Sequence, residues 1–459
     1  MNKSHKHIVI IGNGISGVTC ARYIRKNDEG VSITIVSGET EHFFSRTALM
    51  YIYMGHMKYE HTKPYEDWFW EKNRLDLVKG WVEKVDFGNK KLNFQNGKTL
   101  DYDVLILATG SKPNKFGWPG QDSIGVQGLY SYQDLESMEK HTQNINRAVI
   151  VGGGLIGIEM AEMLKSRDIP VTFLVREKNF WDNILPFEES QMINRHIKEH
   201  HIDLRLETEL HEIIPDESGR VKAISTKTGE VIVCQFVGLT AGVSPNVDFL
   251  KNNPVEENEP SLQIQRGILV NAYFETNIPD IYAIGDCAEF QEALASDRKN
   301  IEQVWYTGRM HGETLAHNLT HQKSVSYQPG IWFNSAKFLD IEYQTYGHVP
   351  PFWDEYIGSF YWEHQGGKAC LRILYQKSDM AIVGVNAFGW RLRHEFFDKA
   401  ITDGWKLEKV MVNLNKANFN PEFFEAFHRD VLKKYNQETG KQLKVGKTSF
   451  LKKLIGSRA

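Results

Sequence analysis

Hydrophobic positions along the chain come in short runs broken by polar and glycine-rich stretches, and two of these runs end in the same way. His7-Ile8-Val9-Ile10-Ile11 enters Gly12-Asn13-Gly14-Ile15-Ser16-Gly17, and Arg147-Ala148-Val149-Ile150-Val151 enters Gly152-Gly153-Gly154-Leu155-Ile156-Gly157. Short continuous apolar runs bounded by turn signals read as buried strands. A second strand follows each about a helix's length later, at Val31 to Val36 and at Pro170 to Val175. Strand, glycine turn, helix and strand make a βαβ unit, and the chain predicts two of them.

The glycine spacing has a chemical reading. The first glycine permits a tight strand-to-helix turn, the second lets the backbone approach a pyrophosphate, and the third lets helix and strand pack closely. The helix start then offers unpaired N–H groups and a partial positive charge to phosphate. Two such units predict two dinucleotide sites, and a protein holding two dinucleotides is expected to pass electrons between them.

Two later segments also match each other. Leu100 to Pro113, containing Leu105-Ile106-Leu107-Ala108-Thr109-Gly110-Ser111, and Phe236 to Asn246, containing Leu239-Thr240-Ala241-Gly242, are each a buried strand ending in a glycine turn. Each is read as the close of one nucleotide-binding unit and a crossing point between domains. Turn signals at Phe87-Gly88-Asn89 and Glu217-Ser218-Gly219 predict small antiparallel meanders before them. Ile281-Tyr282-Ala283-Ile284 is a further strand that delivers Gly285-Asp286 at its end, and a helix is predicted from about Asn300 to Leu319. Beyond Thr320 the glycine motifs stop. Strand-like runs at Ile331 to Phe333, Ala369 to Tyr375 and Ala381 to Val385, with helical patterns at Trp390 to Thr402 and Pro421 to Tyr435, predict a separate α+β domain.

Composition narrows the function classes. A length of 459 residues suits about three domains. The net charge of −4 gives no sign of a nucleic-acid partner. The longest apolar run, Ala48 to Met54, is far short of the roughly 20 residues that span a bilayer, so no transmembrane segment is expected. The first strand begins too early to leave room for a signal peptide, and a cytoplasmic protein is expected. Cys20, Cys234, Cys287 and Cys370 are scattered and form no C-x-x-C or C-x4-C pair, which removes redox-disulfide, iron–sulfur and cysteine–zinc readings. From Asp430 to Ala459, eight Lys or Arg face two acidic residues. This basic tail, with Phe450-Leu451 and Leu454-Ile455 beside Lys452 and Lys453, reads as a solvated segment. Docking of an acidic partner or an anionic membrane surface are the alternatives.

The order of these motifs (GxGxxG, LILATGSxP, a second GxGxxG, AGVxPN and YAIGDCA) resembles the flavoprotein reductases with two dinucleotide domains and a glutathione-reductase-like fold. The resemblance covers about residues 7 to 320. It implies an α/β fold with two Rossmann-like domains, one for FAD and one for NAD(P), plus a C-terminal α+β domain that completes the flavin site or a homodimer interface. The expected boundaries are 1–115 and 243–320 for the FAD domain, 116–242 for the NAD(P) domain, 321–435 for the C-terminal domain and 436–459 for the tail. Arg46 stands where coenzyme A disulfide reductases and NADH oxidases carry a catalytic cysteine. Ser45-Arg46-Thr47-Ala48-Leu49 is similar instead to ferredoxin reductases, rubredoxin reductases and the flavin domain of NirB-type nitrite reductases. Tyr327 to Ser335, followed by Asp340 to Gln344, resembles the start of that branch's C-terminal domain. The chain departs from the branch in three places. The usual lysine is replaced around Met50-Tyr51, Asn334 stands where a second tryptophan is common, and the C-terminal region is several dozen residues longer.

The resemblance assigns roles residue by residue. Gly12, Gly14, Gly17, Ser45, Arg46, Ala108, Thr109, Gly110, Gly285, Asp286, Gln303 and Trp332 are expected around FAD, Asp286 on the ribityl chain and Trp332 or Phe333 against the flavin ring. Ser37 occupies the usual acidic position for the adenosine ribose, so Glu39, two residues on, is the candidate. Gly152, Gly154, Gly157, Glu159, Arg176 and Gly242 are expected at the nicotinamide dinucleotide. There Arg176 favours the 2′-phosphate of NADPH, and Glu177 beside it suits the 2′-hydroxyl of NADH. His196 and His200 lie four apart on a helix, a spacing at which two imidazoles can share an ion. No HExxH glutamate or nearby third ligand accompanies them, and no metal is expected. The function expected is an FAD-dependent NAD(P)H oxidoreductase that passes electrons to a small carrier such as a ferredoxin or rubredoxin. The alternatives are a quinone or oxygen as acceptor, or a flavin-based redox-sensing binding protein.

Overall fold

The computed structural model describes residues 6–251, 260–295, 298–420 and 422–446. The chain forms two compact units, one of Met1–Leu174 with Thr208–Pro329 and one of Val175–Glu207 with Gly330–Ala459. Among the described residues, no helix is long and apolar enough to cross a membrane. Most of the basic tail, Phe450-Leu451 and Leu454-Ile455 included, lies outside the described residues.

The first unit holds two parallel sheets. In one the order is Ile281–Ala283, Val104–Leu107, His7–Ile11, Ser32–Ser37 and Asp76–Lys79. The pairing of Ile8 to Ile33 and of Ile8 to Val104 puts the first apolar run at its centre. A central strand covered on both faces has no polar side, which is why this segment is apolar without alternation. The other sheet runs Val171–Leu174, Ala148–Val151, Phe236–Leu239 and Val126–Gln127 within this unit. Both expected meanders are present as three-stranded antiparallel sheets, Val82–Asp86 with Lys91–Phe94 and Thr99–Asp101, and Leu210–Pro215 with Val221–Thr226 and Val231–Val233. The two closing segments pair with each other. Ser111–Pro113 and Val243–Pro245 form a two-stranded antiparallel ribbon, Val243 opposite Pro113.

The second unit is built on an antiparallel sheet in the order Phe333–Phe338, Ile341–Gly347, Ile382–Phe388, Cys370–Gln376 and Ile357–Glu363. Three of these strands lie at or just after the expected runs; the other two escape the sequence reading. The helices also begin later than expected, at His394 and His428. The Trp390–Arg393 segment is tied elsewhere instead: Trp390 Nε1 donates to Asn418 Oδ1 at 2.9 Å and the N–H of Arg393, itself extended, to the Ala417 carbonyl at 2.8 Å. In the first unit the last helix starts at Trp305, not near Asn300, because the Asn300 carbonyl accepts from the Phe290 N–H and Val304 is extended.

Candidate functional site

The two glycine fingerprints have the same stereochemistry. Gly12 has φ +119°, and a Cβ there would lie 2.0 Å from the Ala108 carbonyl oxygen; Gly152 has φ +115° and a Cβ would meet Thr240 and Ala241 backbone at 2.8 Å. The third glycines are packed as tightly, with Gly17 facing the Gly12 oxygen at 2.2 Å and Gly157 facing the Gly152 oxygen at 2.4 Å. Only the second glycines differ: a Cβ on Gly14 or Gly154 would meet nothing within 4 Å. Each is the residue at which a helix starts, Ile15–Asn27 and Leu155–Lys165, and neither start carries a side-chain cap or an acidic residue in its first turn. The Tyr132–His141 helix, by contrast, closes its start with a Ser131–Asp134 capping box. Two uncapped helix starts with open space over the intervening glycine fit a diphosphate. Asn13 fixes the first loop by donating from Nδ2 to the Thr40 carbonyl at 2.9 Å.

A polar cluster forms where the Ile281–Ala283 strand ends. Asp286 Oδ2 accepts from Ser111 Oγ at 3.0 Å and from the Tyr130 hydroxyl at 3.2 Å, and Gln303 Nε2 donates to Ser111 Oγ at 2.6 Å. Burial raises the Asp286 pKa, opposed by the hydrogen bonds from Ser111 and Tyr130 and by the charge of Arg46. The cluster joins Ser111 and Asp286, two strand ends distant in sequence. Tyr130 is the member that the sequence reading misses, since its hydroxyl reaches Ser111 and Asp286 through contacts distant in sequence.

Glu39 and Arg46 meet in a bidentate pair at 2.7 and 2.6 Å; Glu39 Oε1 also accepts from the Tyr132 N–H at 2.8 Å, and Arg46 donates to the Tyr130 carbonyl at 2.6 Å. Arg46 also lies over the Tyr130 ring, 4.5 Å from its centroid. It is therefore no free surface side chain, and its pKa is raised by Glu39 against the opposing effect of burial. Ser45 Oγ is 3.1 Å from Thr47 Oγ1. The Ala108 N–H donates to Ile11, Thr109 Oγ1 to the Asn246 carbonyl, and the Asn246 N–H to the Gly110 carbonyl. These bonds hold the Ala108-Thr109-Gly110 turn beside the first fingerprint. In the second, Glu159 is half-buried on the Leu155–Lys165 helix, and the Gly242 carbonyl accepts from the Asn114 N–H at 3.1 Å. Arg176 and Trp332 belong to the second unit. There Arg176 Nε donates to Glu177 Oε1 at 2.7 Å, and the Trp332 carbonyl accepts from Gly347.

His311, also missed from sequence, positions the Asp286 turn. Its Nδ1 accepts from the Gly285 N–H at 3.1 Å, and the ring is buried among Phe274, Phe290 and Tyr327. Burial pushes its pKa down to about 3. A histidine neutral in the fold but protonated when unfolded below its ordinary value of 6.5 makes stability fall as the pH drops through that value toward 3. Between pH 7.5 and 5.0 the protein is expected to lose about 2 kcal/mol more than a His311→Gln variant. Urea unfolding of both at the two pH values checks this; equal losses contradict it.

All four cysteines are free and buried, and burial raises each thiol pKa, to about 12 for Cys234. None is a ready thiolate.

A family profile described as pyridine nucleotide-disulphide oxidoreductase matches residues 6–312, two thirds of the chain and all five ordered motifs. The chain belongs to that family. Its members are oxidoreductases that work with FAD and NAD(P)H. Among curated relatives, a nitrite reductase [NAD(P)H] of Bacillus subtilis is 31% identical over 288 residues, covering 62% of this chain and 34% of that protein. The chain thus spans about a third of that relative's length. A rubredoxin-NAD(+) reductase of Acinetobacter baylyi is 27% identical over 322 residues, 68% of this chain and 79% of that protein. Among solved structures, a ferredoxin reductase of Rhodopseudomonas palustris matches with a TM-score of 0.75 at 19% identity, covering 94% of this chain and all of that one. That similarity carries the fold: parallel Rossmann-like sheets followed by an antiparallel C-terminal sheet, as expected for the family.

Proposed function

We propose that the chain is an FAD-dependent NAD(P)H oxidoreductase that delivers electrons to a small protein carrier of the ferredoxin or rubredoxin type. The single observation carrying it is the duplicated cradle, two uncapped helix starts each under a glycine with open space above it. FAD held at the first cradle would supply the chemistry, hydride acceptance and single-electron release. Gly14 and the amides that follow it would hold the diphosphate, with Gly12 and Gly17 keeping side chains out of the turn. Asp286, buried with Ser111 and Tyr130 around it, suits the hydroxyls of a polyol chain. Gln303 steadies Ser111, and Arg46 fixes Glu39 near the sugar end. Gly154 repeats the role of Gly14 for the nicotinamide dinucleotide. Glu159 is assigned there with Gly152, Gly157 and Gly242, and Arg176 with Glu177 would read the 2′ position.

The proposal extends to the domain scheme: 1–115 with 243–320 for FAD, 116–242 for NAD(P), 321–435 for a C-terminal domain with Trp332 near its start, and 436–459 as a basic tail. It places the protein in the cytoplasm, as a homodimer, with an acidic carrier as partner. The buried thiols support a route through flavin alone, without a cysteine relay.

The test is anaerobic stopped-flow reduction by NADH and by NADPH, followed by mixing with ferredoxin or rubredoxin. Fast bleaching and carrier-accelerated reoxidation are expected. Reoxidation that neither carrier accelerates, with oxygen or a quinone effective instead, overturns the carrier assignment. Bleaching that is slow with both nucleotides overturns the reductase reading itself.

A further inference from the structure

Within the second unit, the Phe187–Glu199 helix presents His196 and, one turn on, His200 to the tight turn that joins Phe333–Phe338 to Ile341–Gly347. Asp340 sits in that turn. Its Oδ1 lies 2.5 Å from His196 Nε2 and 3.3 Å from His200 Nε2, and one ligand atom from each of the three side chains falls within 4.8 Å of the others. Asp340 is the third ligand that the sequence reading does not find, because it lies far along the chain.

His200 Nδ1 is 2.9 Å from the His196 carbonyl. A carbonyl only accepts, so Nδ1 carries the ring proton. His200 Nε2 is thereby turned toward the Asp340 carboxylate, at 3.3 Å. His196 is 1% exposed, and neither of its ring nitrogens has a hydrogen-bond partner among the described residues; Nε2 is close to Asp340 but misaligned for a bond. Buried polar nitrogens without partners are uncommon and call for a missing ligand.

We propose that His196, His200 and Asp340 bind a single divalent transition-metal ion, Zn2+ by the character of the donors, as a clip between the helix and the turn. Two imidazoles and a carboxylate are a borderline N/O donor set suited to zinc. The His200 Nδ1–H bond to a backbone carbonyl is the arrangement that commonly orients a metal-bound imidazole. Zinc bonds of 2.0–2.1 Å place tetrahedral ligand atoms about 3.3 Å apart. The His200–Asp340 separation already matches, and the His196–Asp340 contact opens to it through a small shift of the half-exposed Asp340. Lys368 Nζ, 2.9 Å from Asp340 Oδ2, holds the other oxygen and leaves Oδ1 for the ion. The fourth position remains for water, while Glu199 Oε2, 3.7 Å from His196 Nδ1, lies beside the ring nitrogen turned away from the ion.

The experiment uses the full-length protein, stripped with chelator and titrated with Zn2+ calorimetrically and with Co2+ by absorption spectroscopy. One ion per chain, tetrahedral Co2+ ligand-field bands and a higher melting temperature with Zn2+ are expected. His200→Ala and, on the exposed turn, Asp340→Asn should each weaken binding by at least about tenfold. His201→Ala, at a neighbouring histidine outside the cluster, should bind as the parent does. Absence of stoichiometric binding overturns the proposal, and so does binding that Asp340→Asn and His200→Ala leave unchanged. The readouts are independent of any reductase activity.

Discussion

Replacing Gly14 with valine should abolish FAD retention and leave the apoprotein folded, whereas the same change at Gly12 should cost both. Gly14 has φ −75° and ψ −177°, a conformation open to any residue, and a Cβ there meets nothing. The apoprotein therefore has no steric reason to reject valine. The added methyl groups would fill the space through which a diphosphate must approach the helix start. Gly12 is different. Its φ of +119° is closed to L-residues, and a Cβ would sit 2.0 Å from the Ala108 carbonyl, a backbone atom of the neighbouring strand that cannot move aside cheaply. Left-handed strain and a backbone collision together are expected to cost at least ~3 kcal/mol. The measurements are the flavin absorbance per chain after purification with added FAD, and thermal unfolding of the apoproteins. Gly14→Val should bind FAD at least ~100-fold more weakly, or about 2.7 kcal/mol, with an apoprotein melting temperature near the parent's. Full flavin content in Gly14→Val would remove the diphosphate from that position and with it the central support for the functional proposal.

The same contrast explains what could be read from the chain. His7–Ile11, Val104–Leu107, Ala148–Val151 and Phe236–Leu239 are central parallel strands buried on both faces, so their composition alone announces them. The fingerprints are legible because their glycines answer local backbone needs. Asp286 is legible because a strand end delivers it. Tyr130 and His311 are not, since one acts through Ser111 and Asp286 and the other through Gly285, contacts that no local spacing encodes. Glu39 and Arg46 each stand out in the sequence, but nothing in their seven-residue separation shows that they grip each other. The second unit is less legible for a related reason. Ile357–Glu363 alternates buried and half-buried positions and mixes glycine, serine and aromatic residues, so it lacks the apolar run that marks the first unit's strands. The late start of its His394–Thr402 helix is set by bonds to Ala417 and Asn418, well downstream.

The largest stability effect is expected inside that second unit, at Arg372. This guanidinium is 2% exposed and donates to Glu189 at 3.1 Å, to Glu188 at 2.6 Å and to Ser359 at 2.7 Å, while lying over the Tyr361 ring. Glu189 is fully buried, with Asn386 Nδ2 donating to its other oxygen at 3.2 Å. Burial drives the Glu189 pKa up to about 7 even though Arg372 and Asn386 oppose it. Arg372→Met removes the cation paired with this carboxylate, and breaking a buried pair in this way typically costs 3–5 kcal/mol. The sign of the pH dependence follows from the direction of the shift. A carboxyl whose folded pKa lies above its unfolded value of about 4.5 binds its proton more tightly in the fold, so its contribution is best at acid pH and is lost as the pH rises through the folded pKa. Without Arg372 the folded pKa climbs further. Arg372→Met should then follow the parent's pH dependence from pH 5 to about pH 7, where Glu189 is protonated in both folded proteins, and fall away from it above, toward pH 8. Adding Glu189→Gln should recover more than half of the loss at pH 8, because the amide carries no charge to strand. Urea unfolding across this range, followed by tryptophan fluorescence, reads all three proteins. A deficit below about 1 kcal/mol at pH 8 would mean that Glu189 finds water or another donor, and that the Phe187–Glu199 helix is held to its sheet by apolar packing in place of charge.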